Sequence, residues 1–105
     1  MSDRALFIVR ATVPEADRAA FDRWYETDHL PDAMATFGAS SAWRAWSTDD
    51  PAVHVAVYAF ETTEAAAAVP SSPGLERLIG DFEARWGNRV PRTREIVRVV
   101  QAIEA

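Results

Sequence analysis

The run Trp24-Tyr25-Glu26-Thr27-Asp28-His29-Leu30-Pro31 sets a histidine at the end of an aromatic helical stripe and follows it with a proline. Proline lacks a backbone N–H and disfavours the α conformation at the residue before it, so the helix carrying Trp24 and Tyr25 is expected to end near His29. Upstream, Pro14 and Glu15 open that helix, with proline in the first turn and acids behind it. Ala16, Ala20, Phe21, Trp24, Tyr25 and Asp28 or His29 then recur at spacings of three and four, which makes one apolar face. Downstream, residues 32–37 add a helical turn or two that Gly38 closes as a left-handed cap.

Strands flank this helix. Residues 5–13 hold the β-favouring run Leu6-Phe7-Ile8-Val9, apolar on both faces and suited to a central strand. Residues 41–48 read as a second strand with Trp43 and Ala45 on one face and Arg44 and Trp46 on the other, turning at Asp49-Asp50-Pro51. Residues 53–60 alternate most clearly, with Val53, Val55, Val57 and Ala59 opposite His54, Ala56, Tyr58 and Phe60. Thr62 or Thr63 caps a short alanine-rich helix over 64–69, broken at Pro70-Ser71-Ser72-Pro73. Leu75, Leu78, Ile79, Phe82 and Trp86 define a longer helix closed at Gly87. Residues 94–103 are read as a last strand with an extended tail.

The order βαββαβ predicts an α+β, ferredoxin-like fold: a four-stranded antiparallel sheet with two helices on one face. A chain of 105 residues that is 49% hydrophobic fits a single domain spanning 1–105. The strands are apolar on both faces while the helices cover only one, so a homodimer that stacks its sheets is expected.

Sixteen acidic against 11 basic residues give a net charge of -5, which argues against nucleic acid and anionic membranes as partners. All 11 basic residues are arginine, which excludes Schiff-base chemistry on a lysine side chain, and the absence of cysteine excludes thiolate catalysis and thiolate metal sites. The N-terminus has no signal-peptide pattern and no apolar run is long enough to span a bilayer, so a cytoplasmic location is expected.

With Trp24-Tyr25, His29, Pro31, Gly38 and a strand bearing Arg44 in the βαββαβ order, the chain resembles the dimeric α/β-barrel superfamily and, within it, the EthD-like group. The likeness in element order covers nearly the whole chain. That resemblance implies a pocket between the sheet and the two helices, with His29, Trp24 and Tyr25 on its wall. It also implies metabolic chemistry of the isomerase, cyclase or cofactor-independent oxygenase kind, without haem.

His29 is the candidate acid or base for proton transfer on an apolar cyclic or aromatic carbonyl compound. A helix end and the neighbouring Asp28 and Asp32 favour its charged form and burial opposes it, which leaves it titrating near neutral pH. The competing reading is a histidine that only closes a turn. Neighbours on a helix lie about 100° apart, so Trp24 packs inward while Tyr25 borders the pocket. Candidate ligand-binding residues are Trp24, Tyr25, Asp28, Trp43, Arg44, His54 and Tyr58, with Arg44 also suited to pairing with an acid. No metal-ligand spacing is present, and neither a metal nor a cofactor is expected. Arg85, Arg89, Arg92 and Arg94 read as a solvated basic loop or dimer rim. The alternative to an enzyme is a non-catalytic ligand-binding or accessory protein using the same pocket.

Overall fold

The computed structural model describes residues 3–105. Its sheet has the order β2-β3-β1-β4, built from β1 (Ala5–Thr12), β2 (Ser41–Trp46), β3 (Val53–Phe60) and β4 (Arg92–Arg98), with every neighbouring pair antiparallel. Helices α1 (Arg18–Trp24), α2 (Leu30–Phe37), α3 (Thr63–Ala67) and α4 (Pro73–Trp86) complete the ferredoxin-like arrangement. No helix among the described residues is long and apolar enough to cross a membrane.

Register divides the side chains into two faces. Phe7 lies opposite Tyr58 and Ile96, and Val9 opposite Ala56 and Arg94, so these residues share the helix-covered face with His54, Arg44 and Trp46. Leu6, Ile8, Val57, Val97 and Trp43 take the other face, which no helix covers; Trp43 is 46% exposed there. Phe21, fully buried, is the hub of the core: its ring centroid lies 5.1 to 6.3 Å from those of Trp24, Tyr25, Trp46, His54, Phe82 and Trp86.

Two expectations are corrected. The helix does not end at His29. Tyr25–His29 forms a π turn that joins α1 to α2 without leaving helical backbone, and Leu30, just before the proline, sits at φ -65, ψ -48. The Leu30 N–H donates to the carbonyl of Tyr25, five residues back, and that wider turn makes room for a proline ring that would otherwise press on the carbonyl four residues before it. The Thr27 hydroxyl donates to the Arg23 carbonyl at 2.9 Å in the same turn. Gly38 does close the helix, at φ 70, ψ 30.

The last strand is Arg92–Arg98 rather than residues 94–103, because it pairs with β1 only from Ala11 back to Ala5. The Val99 N–H reaches the Arg4 carbonyl at 2.9 Å, and beyond it Val100 and Ile103 are 78% and 79% exposed.

Candidate functional site

A narrow cleft of about 30 Å³ lies between the helix-covered sheet face and the helices. Phe7, Val9, Tyr58, Arg92 and Arg94 form its floor. One wall is Tyr25, His29, Ala33 and Phe37; the other is Leu75, Leu78, Ile79 and Phe82 of α4. Phe37 and Tyr58 meet edge to face at 5.2 Å at one end.

The π turn decides how His29 is presented. On a regular α-helix, residues five apart point about 140° away from each other. Here Trp24 and His29 stack with centroids 4.4 Å apart and planes at 19°, because the widened turn brings position i+5 back over position i. Tyr25 meets the same imidazole edge-on at 4.8 Å and Phe82 at 6.0 Å. None of the hydrogen bonds among the described residues involves the His29 ring. Burial pushes its pKa down to about 4, against a smaller opposing pull from Asp32. Asp32 is committed elsewhere: Arg77 grips it at 2.9 and 3.1 Å, which holds its carboxyl below the usual range. His29 is therefore neutral at neutral pH. The expected titration near 7 fails because His29 is inside a continuous helix, away from any helix-end dipole, and is packed among rings.

Tyr25 and Tyr58 are buried and their hydroxyls pair with each other; burial pushes Tyr25 up to about 12 and Tyr58 higher still. Both are phenols, hydrogen-bonding groups rather than phenolates.

Behind Tyr25 lies a second polar group. Asp22 accepts from Arg44 at 2.7 Å and from the Trp46 indole at 2.8 Å, which lowers its carboxyl pKa, and Arg44 approaches His54 Nε2 at 3.4 Å. A guanidinium only donates, so Nε2 accepts and the proton of neutral His54 sits on Nδ1, a buried atom with no hydrogen-bond partner among the described residues. His54 is 1% exposed, and its pKa is likewise pushed down to about 4 by burial.

These two histidines set a pH dependence. Their folded pKa lies below the unfolded value of 6.5, so the unfolded chain binds more protons between the two. The stability that their neutral forms confer is complete above about pH 6.5 and is lost as pH falls towards 4. For His54 alone the expected loss between pH 7 and 4.5 is about 2 to 3 kcal/mol. Urea midpoints measured across that range should fall, and should fall less in His54→Phe; a flat wild-type profile would mean that the two rings are solvated.

Of the residues singled out from the sequence, the structure brings Tyr25, His29 and Tyr58 together on the cleft, with Trp24 backing His29. Asp28 lies in a separate outer hollow, with Trp24, His29, Asp81 and Arg85. Arg44 and His54 stand behind Tyr25, and Trp43 is on the opposite face of the sheet. The basic cluster is corrected in part. Arg92 and Arg94 belong to β4 and floor the cleft; the Arg92 side chain is only 10% exposed, lies 3.7 Å over the Phe82 ring and pairs with Glu83 at 3.1 Å. Starting the last strand directly after Pro91 would have put Arg92, Arg94 and Ile96 on one face.

The fold is shared with solved structures. The chain matches a proposed antibiotic biosynthesis monooxygenase of Nitrosomonas europaea at 24% identity and TM-score 0.66, over 95% of this chain and 93% of that one. It matches SnoaB, a cofactor-independent oxygenase from Streptomyces nogalater, at 18% identity and TM-score 0.69, over 99% and 100% of the two chains. An ethyl tert-butyl ether D (EthD) family protein from Bacillus halodurans aligns at 16% identity and TM-score 0.70, over 92% and 99%. No protein-family model and no curated protein sequence matches the chain. At these identities the likeness is one of fold, and that fold is the one the sequence resemblance led us to expect.

Proposed function

We propose that the protein is a small-molecule enzyme that transfers a proton on an apolar cyclic or aromatic carbonyl compound, without a cofactor, with His29 as the acid/base. The observation that supports this is a neutral imidazole with uncommitted nitrogens on the wall of an apolar cleft. His29 takes a proton from a phenol or from carbon next to a carbonyl, and the electron pair stays on the ligand as a phenolate or enolate spread over its rings. The imidazolium so formed lies on the Trp24 face, a favourable place for a cation, while Arg92 and Arg94 offset the ligand's new charge. The ligand anion is then reprotonated elsewhere, closes a ring, or reacts with oxygen; the description of SnoaB as a cofactor-independent oxygenase favours the last course. The test is turnover of a panel of quinols, lactones and polyketide-like ketones with and without His29. The narrowness of the cleft and the low basicity of His29 favour a second reading, a non-catalytic ligand-binding protein. Saturable binding with no His29-dependent conversion would establish it.

The uncovered sheet face supports a homodimer, as it carries Leu6, Ile8, Val97 and the 46% exposed Trp43. Light scattering at micromolar concentration should give twice the chain mass, and Trp43→Glu should shift the population to monomer. A monomeric wild type would sink the idea.

A further inference from the structure

The cleft is too small for the cyclic ligand proposed for it. A volume of about 30 Å³ suits a water molecule or two, whereas a cavity that takes benzene measures about 150 Å³. A ring can reach His29 only if the walls part. The floor is fixed by the hydrogen-bonded ladders of the sheet, and the wall that carries Tyr25, His29, Ala33 and Phe37 is one continuous helix rooted in the aromatic core. Helix α4 is rooted there only by its C-terminal half, where Phe82 and Trp86 stand 5.9 and 5.3 Å from Phe21. Its N-terminal half turns Leu75, Leu78 and Ile79 to the cleft and follows directly on the break at Pro70-Ser71-Ser72-Pro73.

What fastens that half to α2 is polar and lies on the outside. Arg77 donates to both Asp32 carboxylate oxygens, at 2.9 and 3.1 Å, and to the Thr36 hydroxyl at 2.9 Å, the only hydrogen bonds that join α2 to α4 among the described residues. Asp81, on α4 itself, steadies the guanidinium at 3.1 Å. The Arg77 and Asp32 side chains are 50% and 42% exposed, so solvent and salt reach the pair. One turn away the helices touch: a Cβ at Gly74 would collide with Thr36 Cγ2, and glycine is what lets α4 come this close. From this arrangement we propose that the N-terminal half of α4 is the door of the cleft and that the contact of Arg77 with Asp32 and Thr36 is its latch. The proposal rests on the cleft being the ligand site, as proposed above, and adds how a ligand enters it. An exposed ion pair is a weak bond, which suits a latch that must open. A ligand that binds only with the door open has its affinity lowered by the closed fraction, so weakening the latch tightens binding.

The probe is 2-naphthol, uncharged at neutral pH, measured by equilibrium dialysis with the full chain, so that salt acts on the latch and not on a ligand charge. Arg77→Gln should bind it about three- to tenfold more tightly than wild type. Raising sodium chloride from about 50 mM to about 1 M should tighten wild-type binding more than that of Arg77→Gln, because only the wild type has a latch to screen. A second variant shuts the door covalently. Thr36→Cys with Gly74→Cys sets two Cβ atoms 3.9 Å apart, within the span of a disulfide, in a chain that has no other cysteine. Oxidised, this variant should bind 2-naphthol about tenfold or more weakly than wild type, and dithiothreitol should restore binding, which also shows that the variant folds. Undiminished binding by the oxidised variant, or Arg77→Gln binding no more tightly than wild type, overturns the latch and leaves the cleft in place. Failure of both wild type and Arg77→Gln to bind 2-naphthol overturns the cleft reading itself, and the latch with it.

Discussion

Replacing Phe21 with alanine should cost about 3 to 5 kcal/mol, a large share of the roughly 5 to 15 kcal/mol that stabilises a domain of this size. The ring is fully buried and stands against Tyr25, His54, Trp86, Phe82, Trp46 and Trp24, elements drawn from α1, the π turn, β2, β3 and α4. Its neighbours are rigid rings with few alternative rotamers, so the void cannot collapse, and the cavity adds to the lost transfer energy. The melting temperature should fall by roughly 15 to 25 °C. Val100→Ala, at a position 78% exposed, is the control and should leave the melt unchanged. A Phe21→Ala loss below 1 kcal/mol would show that the aromatic cluster is not the core.

The second large effect falls on His29. Phenylalanine in its place keeps a ring between Trp24 and Phe82 but has no nitrogen, so His29→Phe should retain the melting temperature and lose turnover by about 10²- to 10⁴-fold, the range for removing a general base. The loss should appear in kcat, with KM little moved, because binding comes from the apolar walls and proton transfer from the imidazole. His29→Gln should be as inactive and less stable, since it puts an amide among rings. A fully active His29→Phe would show that the residue serves only as a ring that closes the turn. With a pKa near 4, the wild-type base is fully available above neutrality, so the rate should fall on the acidic side and stay level through pH 8.

How much of this was legible in the sequence differs from element to element. The alternation of residues 53–60 fixed β3 and its two faces, since a strand buried on one side must repeat with period two. Gly87 marked the end of α4 in the sequence, whereas Ser72 read only as part of the break before it, and in the structure its hydroxyl caps the helix by accepting from the Leu75 N–H at 3.1 Å. Pro31 misled, because the rule that proline stops a helix assumes i to i+4 geometry, and a single widened turn evades it. The start of β4 was missed because Arg92 and Arg94 carry the polarity of a loop, while their stems and the Phe82 face allow a guanidinium into the sheet–helix layer.

By itself, the sequence determined the order βαββαβ, the two-faced strands and the aromatic identity of the core, because these depend on periodicity and cap residues within short stretches. Tertiary structure alone decided that His29 stacks on Trp24 within a helix that continues past Pro31, that burial holds it neutral, and that Arg92 and Arg94 line the cleft. Each of those depends on which groups meet across the fold and on how much water they lose, and neither quantity is written in local spacing.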